Sequence, residues 1–459
     1  MKIAVIGCTH AGTAAITNMA EMYPEADIHV FEKNDNISFL SCGIALYVGG
    51  VVNDPDGLFY ASPKGMEELG VHMHLEHEVL ETDTENKTLL AKNLQTNQET
   101  VYGFDKLVIT TGSWPITPPI PGRELDNIML CKNFNHAKHI IKQARDAENI
   151  TVVGAGYIGI ELVEAFEEAG KKVTLIDGET RILNKYLDPE FTAPVQKSLE
   201  DRGVNMVLGE TVREFKGEEG TVQRVVTTNG EYETDMVVMC IGFRPNTDLF
   251  RGEVDMLDNG AIIVDNYMQT SRKDVFAAGD CCTVPYNPTG GNAYIPLATN
   301  AVRMGTLVAH NLERPVLAHP GTQGTSGLKI YEHQMASTGL TEMAAKQAGF
   351  DTGTAVVEDD YRPAFMPDNA VIKLKIVYDT KTHRLLGAQV ISEADFTQSI
   401  NTLSVAIQQQ MTVEQLAMND FFFQPHFNKP WNYLNMAGLE AMKNIKARAA
   451  DKRKVPAAV

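Results

Sequence analysis

The stretch Ile150-Thr151-Val152-Val153-Gly154-Ala155-Gly156-Tyr157-Ile158-Gly159 decides the fold of this 459-residue chain. A β-branched run enters a full GxGxxG turn, and the helix-forming Ile160-Glu161-Leu162-Val163-Glu164-Ala165-Phe166 leaves it. Strand, glycine turn and helix in that order make a dinucleotide-binding unit. The first glycine permits the tight turn, the second lets a pyrophosphate approach the backbone, and the third lets the helix pack on the strand. The next apolar run, Lys172-Val173-Thr174-Leu175-Ile176-Asp177, closes on an acid eighteen residues past the last glycine. A carboxylate there accepts both ribose hydroxyls and repels a 2′-phosphate, so NADH is expected rather than NADPH.

Working outward, the same plan stands at the beginning of the chain. Residues 2 to 7 read as a strand running into Gly7-Cys8-Thr9-His10-Ala11-Gly12, Thr13 to Ala20 as a helix, and Asp27-Ile28-His29-Val30-Phe31-Glu32 as a second strand ending on an acid. Thr9 replaces the middle glycine, so a pyrophosphate must pass over a small branched side chain. Two such units in one chain imply two dinucleotides, a flavin and a nicotinamide. The segment Asp274-Val275-Phe276-Ala277-Ala278-Gly279-Asp280 reads as a buried strand suited to hold a polyol hydroxyl. Residues 294 to 310 read as a helix whose N-terminus can face a flavin's pyrimidine edge.

From about residue 320 the chain turns to strands and helices without phosphate turns. Val371, Lys373, Lys375 and Val377 alternate there with Ile372, Leu374, Ile376 and Tyr378. The run Asp420-Phe421-Phe422-Phe423-Gln424-Pro425-His426-Phe427 is aromatic enough to need cover, either from its own domain's core or from a second subunit. The expected architecture is α/β. A FAD-binding domain spans 1–113 and 243–318, a NAD-binding domain 114–242, and a C-terminal α+β interface domain 319–446, followed by a disordered basic tail at 447–459.

Composition removes several classes. A net charge of -19 argues against a nucleic-acid footprint. No apolar run approaches a membrane span, and the opening strand leaves no room for a signal peptide, so a cytoplasmic location is expected. Six cysteines in this length are no disulfide framework. Cys8, Cys131 and Cys240 read as structural, and Cys281-Cys282 as an unbridged pair in a turn unless strained into a vicinal disulfide. No Cys/His spacing resembles a zinc site, and no metal is expected.

Cys42, in Ser38-Phe39-Leu40-Ser41-Cys42-Gly43, is the candidate reactive group. It precedes a run, Gly43 to Val48, that can open a helix, a position that favours thiolate. Tyr47 stands where a CxxxxC dithiol would carry its second sulfur, so Cys42 would work alone. His10 is an odd residue for a phosphate turn. In a doubly wound sheet that turn and the segment after the second strand border one crevice, which would bring His10 and Cys42 to one ligand.

These motifs, together with Asp420 to Leu434, resemble over essentially the whole chain the flavin-dependent pyridine-nucleotide disulfide reductase family. Within it they are similar to the single-cysteine branch of NADH oxidases, NADH peroxidases and coenzyme A disulfide reductases. The resemblance implies FAD among Gly7, Thr9, His10, Ala11, Gly12, Glu32, Lys33, Cys42, Val79, Thr110, Thr111, Gly112, Ser113, Lys132, Asp280, Leu297, Ala298 and Thr299. It implies NADH on Gly154, Ala155, Gly156, Tyr157, Ile158, Gly159, Glu161, Asp177, Tyr186, Gly242 and Gly327, with Tyr157 covering the flavin. It implies Cys42 as a thiolate/sulfenic acid redox centre beside His10; a homodimer or higher homo-oligomer is expected, with Phe422, Phe423, Pro425 and His426 as candidates to meet the partner subunit. Peroxidases of the branch carry Glu where Ala14 stands and Arg where Val302 stands. A coenzyme A disulfide reductase would want tyrosines near the thiolate, where residues 421 to 423 are Phe, although Tyr361 and Arg362 could serve. The expected activity is therefore four-electron reduction of dioxygen to water. NADH peroxidase and coenzyme A disulfide reductase are the alternatives, and a slow-turnover redox sensor is a reading of another class.

Overall fold

A computed structural model describes residues 1–454. They divide into two compact units: Met1–Ile176 with Glu210–Pro285 and Asn292–Pro320, and Asp177–Gly209 with Tyr286–Gly291 and Gly321 onward.

The first unit holds both glycine turns, each on its own parallel sheet. In one sheet the strands lie in the order Val275–Ala277, Lys106–Ile109, Lys2–Ile6, Asp27–Glu32, His72–Leu75. Strands Lys106–Ile109 and Lys2–Ile6 are apolar on both faces because helices cover parallel sheets on both sides. Val5, Leu107 and Val108 are wholly buried. Helix His10–Met22 lies against the later helix Ala298–Asn311, close enough that a side chain on Gly305 would strike the Ala11 carbonyl. In the second sheet Lys172–Asp177, Asn149–Val153, Met236–Met239 and Ile128–Leu130 run parallel, with helix Tyr157–Glu168 following the second turn. Both turns therefore open at the carboxyl ends of their strands, where an α/β sheet leaves its ligand crevice.

The second unit is built on an antiparallel sheet ordered Ser326–Ile330, His333–Gly339, Leu385–Ser392, Val371–Asp379, Thr352–Asp360. Helix Ser399–Gln408 and the long C-terminal helix contribute Leu403, Ile407, Leu434 and Ala437 to its core.

Several expectations need correction. Residues 177–209, assigned by sequence to the NAD-binding domain, group with the C-terminal unit. The physical link is Lys375, which alternation alone puts on a polar strand face. Its ammonium is instead buried 2.9 Å from Asp188, 2.6 Å from Glu190 and 2.9 Å from Glu342. Burial works against the charged ammonium, but hydrogen bonds to these carboxylates outweigh it and raise its pKa. The basic end, expected to be disordered from residue 447, is helical as far as Lys454 within Tyr433–Lys454. The rest of that tail lies outside the described residues. Cys281 and Cys282 are unbridged, and their thiols donate to the carbonyls of Ile109, Ala278 and Gly279.

The aromatic run is not the core of its own domain. Phe421 is half-buried, but Phe422, Phe423, Phe427 and Trp431 are each about half or more exposed, Phe422 by 68%. Among the described residues, no helix is long and apolar enough to cross a membrane.

Candidate functional site

The first glycine turn opens into a cavity of about 980 Å³ within the first unit. Drug- and cofactor-sized sites run to about this volume. Gly7 starts the turn at φ +95, and a Cβ there would run into the Thr110 carbonyl. Thr9 caps helix His10–Met22 with φ -97 and makes no side-chain cap bond, so the first-turn amides are left for an anion. Glu32, at the end of its strand, is buried. One carboxylate oxygen accepts the Cys8 N–H at 2.8 Å and the other the Asn34 N–H at 2.8 Å and its side-chain amide at 2.6 Å. Burial raises the Glu32 pKa and these bonds oppose the rise. The Lys33 N–H adds a further bond, so the carboxylate is fixed at the strand's end by its own loop.

Deeper in the cavity, Lys132 donates to Ser113 Oγ at 2.9 Å, and Ser113 donates to Asp280 at 2.9 Å. Thr111 Oγ1 is buried without a partner. Gly279, at φ +84, leaves room that a side chain would take from Ala11. A phosphate-ready helix end, a carboxylate at the end of the second strand and the unpartnered Thr111 hydroxyl along one long cavity fit FAD.

Of the residues expected there, Gly7, Thr9, His10, Ala11, Glu32, Lys33, Cys42, Val79, Thr110, Thr111, Gly112, Ser113, Lys132, Asp280, Leu297 and Ala298 line the cavity. Two do not. Gly12 is no wall residue, because its bare Cα lies against the Gly7 carbonyl and lets the helix leave the strand. Thr299 is exposed on the outer side of its helix, its carbonyl accepting from Arg303 at 3.3 Å.

Cys42 sits in the 3₁₀ turn Ser41–Gly43, ahead of a short helix Ile44–Val48. Its side chain opens into the cavity, whose walls desolvate it although it counts as exposed. Burial first, then Glu161 and Asp280, push its thiol pKa up against the pull of Lys132 and its own backbone N–H. This corrects the expectation that the turn alone favours thiolate. Glu161, on the helix of the second turn, is itself raised to about 7 by burial and Glu164. Tyr47 fills the position of a second sulfur, its ring stacked on Phe134 at 6.4 Å.

His10 and Cys42 line the same cavity, as the crevice argument requires. His10 Nδ1 is 3.0 Å from the Tyr60 hydroxyl, the two rings are parallel within 3° with centroids 5.7 Å apart, and Nε2 is buried without a partner. Burial lowers the His10 pKa, with Asp280 opposing and Lys132 adding to the fall, which favours the neutral ring.

Tyr60 escaped the sequence reading, for it belongs to no motif. It is delivered by Ser38, whose hydroxyl donates to the Ala61 carbonyl at 2.8 Å and accepts the Ala61 N–H at 2.9 Å. Ser38 holds φ +58 to do so, a strained conformation for a residue with a Cβ, while its own N–H bonds the Cys8 carbonyl. One residue thus ties the His10 turn, the Cys42 turn and Tyr60 together.

Around the second turn, Gly154 has φ +111 with its missing Cβ against Cys240, and Gly159 lies against the Gly154 carbonyl. Gly156 caps helix Tyr157–Glu168, and Gly242, at φ +104, follows the neighbouring strand. Ala155, Tyr157 and Glu161 belong to this turn and helix, and Ile158 also reaches the wall of the large cavity. Asp177 ends its strand with its carboxylate accepting the Glu179 N–H at 2.7 Å. Tyr186 and Gly327 lie in the second unit, Gly327 in strand Ser326–Ile330 opposite Ala336.

Two phosphate-ready turns and an exposed cysteine opening into the cavity of the first define a two-dinucleotide redox protein. Residues 1–305 match the family described as pyridine nucleotide-disulphide oxidoreductase, and residues 325–433 match that family's dimerisation domain. The chain belongs to this family. It is 56% identical over 446 residues to an NADH oxidase of Enterococcus faecalis, covering 97% of this chain and all of that one. It is 42% identical to an NADH oxidase of Streptococcus pyogenes, covering 96% of this chain and 99% of that one. Among solved structures, a water-forming NADH oxidase from Lactobacillus brevis bound to NADH superimposes with a TM-score of 0.96 at 50% identity, covering 98% of this chain and all of that chain.

Proposed function

We propose that this protein is a FAD-dependent NADH oxidase that reduces dioxygen by four electrons to water. The observation that carries the reading is Cys42, the one exposed cysteine among the described residues, opening with His10 into the cavity of the first glycine turn, where the other wall cysteine, Cys131, is buried.

The turn amides after Gly7 would hold the pyrophosphate, Glu32 a ribose hydroxyl, and Asp280 with Ser113 and Lys132 the linking polyol. Bound there, FAD would supply the two-electron relay between NADH and dioxygen. Gly154, Gly156 and Asp177 would orient NADH, and the Asp177 charge disfavours a 2′-phosphate. Cys42 meets the resulting hydrogen peroxide: its sulfur attacks one oxygen, the O–O bond breaks, and the other oxygen leaves as water once protonated. The Cys42 sulfenic acid is returned to thiol by two electrons and a proton from a second NADH and one further proton, releasing the second water. Neutral His10 holds a proton at Nε2 when Tyr60 donates to Nδ1, which equips it to protonate the departing oxygen.

A homodimer is supported by the exposed Phe422, Phe423 and Phe427, with Pro425 and His426 beside them, in a region matching a dimerisation domain. Tyr361 packs edge-on against Phe396 at 4.7 Å, and Arg362 donates to the Asp368 carbonyl at 2.7 Å. Both side chains are thus engaged within their own unit. A cytoplasmic location suits a mechanism that needs Cys42 as a free thiol.

The test is NADH consumed per dioxygen taken up, with catalase added midway. Two NADH per dioxygen and no oxygen burst support the reading. One NADH per dioxygen with a burst removes the Cys42 cycle from it.

A further inference from the structure

At the opposite end of the first sheet stands a side-chain cluster that the redox chemistry does not use. Asp27 and His29 are two apart on strand Asp27–Glu32 and so share a face. His72 opens the neighbouring edge strand and pairs with His29 in the parallel register. Asp27 Oδ1 lies 3.0 Å from His29 Nε2 and 3.3 Å from His72 Nε2. The two imidazoles stack at 4.7 Å with 20° between their planes. The three ligand atoms all lie within 4.8 Å of one another, the one such group among the described residues.

A tetrahedral ion with bonds of about 2.0–2.1 Å keeps its ligands about 3.3–3.4 Å apart, close to the two separations that Asp27 Oδ1 already makes. Two imidazoles and a carboxylate are a borderline donor set that suits Zn²⁺ and leaves a fourth position for water. Behind the cluster, His29 Nδ1 is 3.0 Å from His74 Nε2. A histidine that binds an ion through one ring nitrogen needs an acceptor for the proton on the other, and His74 stands in that place. With Asp27 accepting from His29 Nε2–H, His74 donates to Nδ1. With an ion on Nε2, the His29 proton moves to Nδ1, His74 accepts it, and the His74 proton passes to its own Nδ1, with no net proton lost from the pair.

We propose that Asp27, His29 and His72 form a binding site for a divalent transition-metal ion of the Zn²⁺ class. The site clamps the edge strand His72–Leu75 to its neighbour. It lies at the amino ends of these strands, whereas the redox cavity lies at the carboxyl ends, so it acts on stability and not on the reaction. No local spacing announces it, because its ligands come from strands more than forty residues apart.

The experiment titrates Zn²⁺ into chelator-treated holoenzyme against a chromophoric competitor and follows the thermal midpoint in parallel. The side chain of His72 is 60% exposed, so His72→Ala should fold, with flavin content and NADH oxidation unchanged. The expected result is one Zn²⁺ per chain, weakened about 100-fold or more in His72→Ala and in Asp27→Asn, and a midpoint raised by Zn²⁺ only in the parent. Cys42→Ser should bind this ion as the parent does. Equal affinity in parent and His72→Ala, or loss of the ion in Cys42→Ser, overturns the proposal.

Discussion

The two glycine turns follow one plan yet differ at one residue: Gly7-x-Thr9-x-x-Gly12 against Gly154-x-Gly156-x-x-Gly159. In both, the first glycine takes a positive φ, +95 or +111, and lies against a carbonyl of the next strand's exit, Thr110 or Cys240. In both, the last lies against the carbonyl of the first. The middle residue has an ordinary negative φ in each, -97 for Thr9 and -79 for Gly156. The outer glycines are therefore demanded by the chain's own geometry, while the middle position answers to the ligand. Thr9 leaves the fold intact and narrows the approach to the turn.

The largest effect that would sharpen this contrast belongs to the first glycines. Gly7→Ala and Gly154→Ala combine a left-handed φ with a backbone clash and should cost about 3 kcal/mol or more, read as a fall in the thermal midpoint and, for Gly7, as loss of bound flavin. Gly12→Ala escapes the left-handed φ but sets its Cβ against the Gly7 carbonyl, a backbone clash that no side-chain movement relieves, so a cost of about 2 kcal/mol is expected. Equal losses at Gly7 and Gly12 would break the distinction.

The turns also differ in the chemistry beside them, since Cys42 and His10 line the first. Cys42→Ser should shift the stoichiometry toward one NADH per dioxygen with hydrogen peroxide accumulating, and a variant that still makes only water would falsify the assigned role. Gly156→Thr should raise the KM for NADH about tenfold, roughly 1.4 kcal/mol, with the midpoint nearly unchanged. Thr9→Gly should leave both the midpoint and NADH binding alone. The smallest effect joins the two turns. Glu161 raises the Cys42 pKa while ionised, so removing its charge in Glu161→Gln should move the pH profile of Cys42 alkylation downward, measured on the oxygen-free enzyme. No shift, or an upward one, would remove Glu161 as a control on the sulfur.

How far the chain could be read beforehand varies with the range of the interaction. Both turns, the acids at Glu32 and Asp177, and the lone Cys42 are local patterns, and each lies in the expected kind of element. Tyr60 was invisible because its role depends on Ser38 holding a strained φ to carry residues 60 and 61 to the His10 turn. The burial of Lys375 was out of reach because alternation describes one strand and says nothing of what covers its second face. The thiol of Cys42 was misjudged because a helix end is a local feature, whereas the burial and the Glu161 charge that act on it come from another part of the fold.

Periodicity and glycine spacing, which report φ and side-chain direction over a few residues, were enough for two α/β dinucleotide units, their order and the acids that close them to be read directly. The company each ionisable group keeps was settled by long-range packing. Desolvation and Coulomb interactions depend on distance through space, and residues 10, 42, 60 and 161, or 27, 29 and 72, become neighbours only when the sheets form.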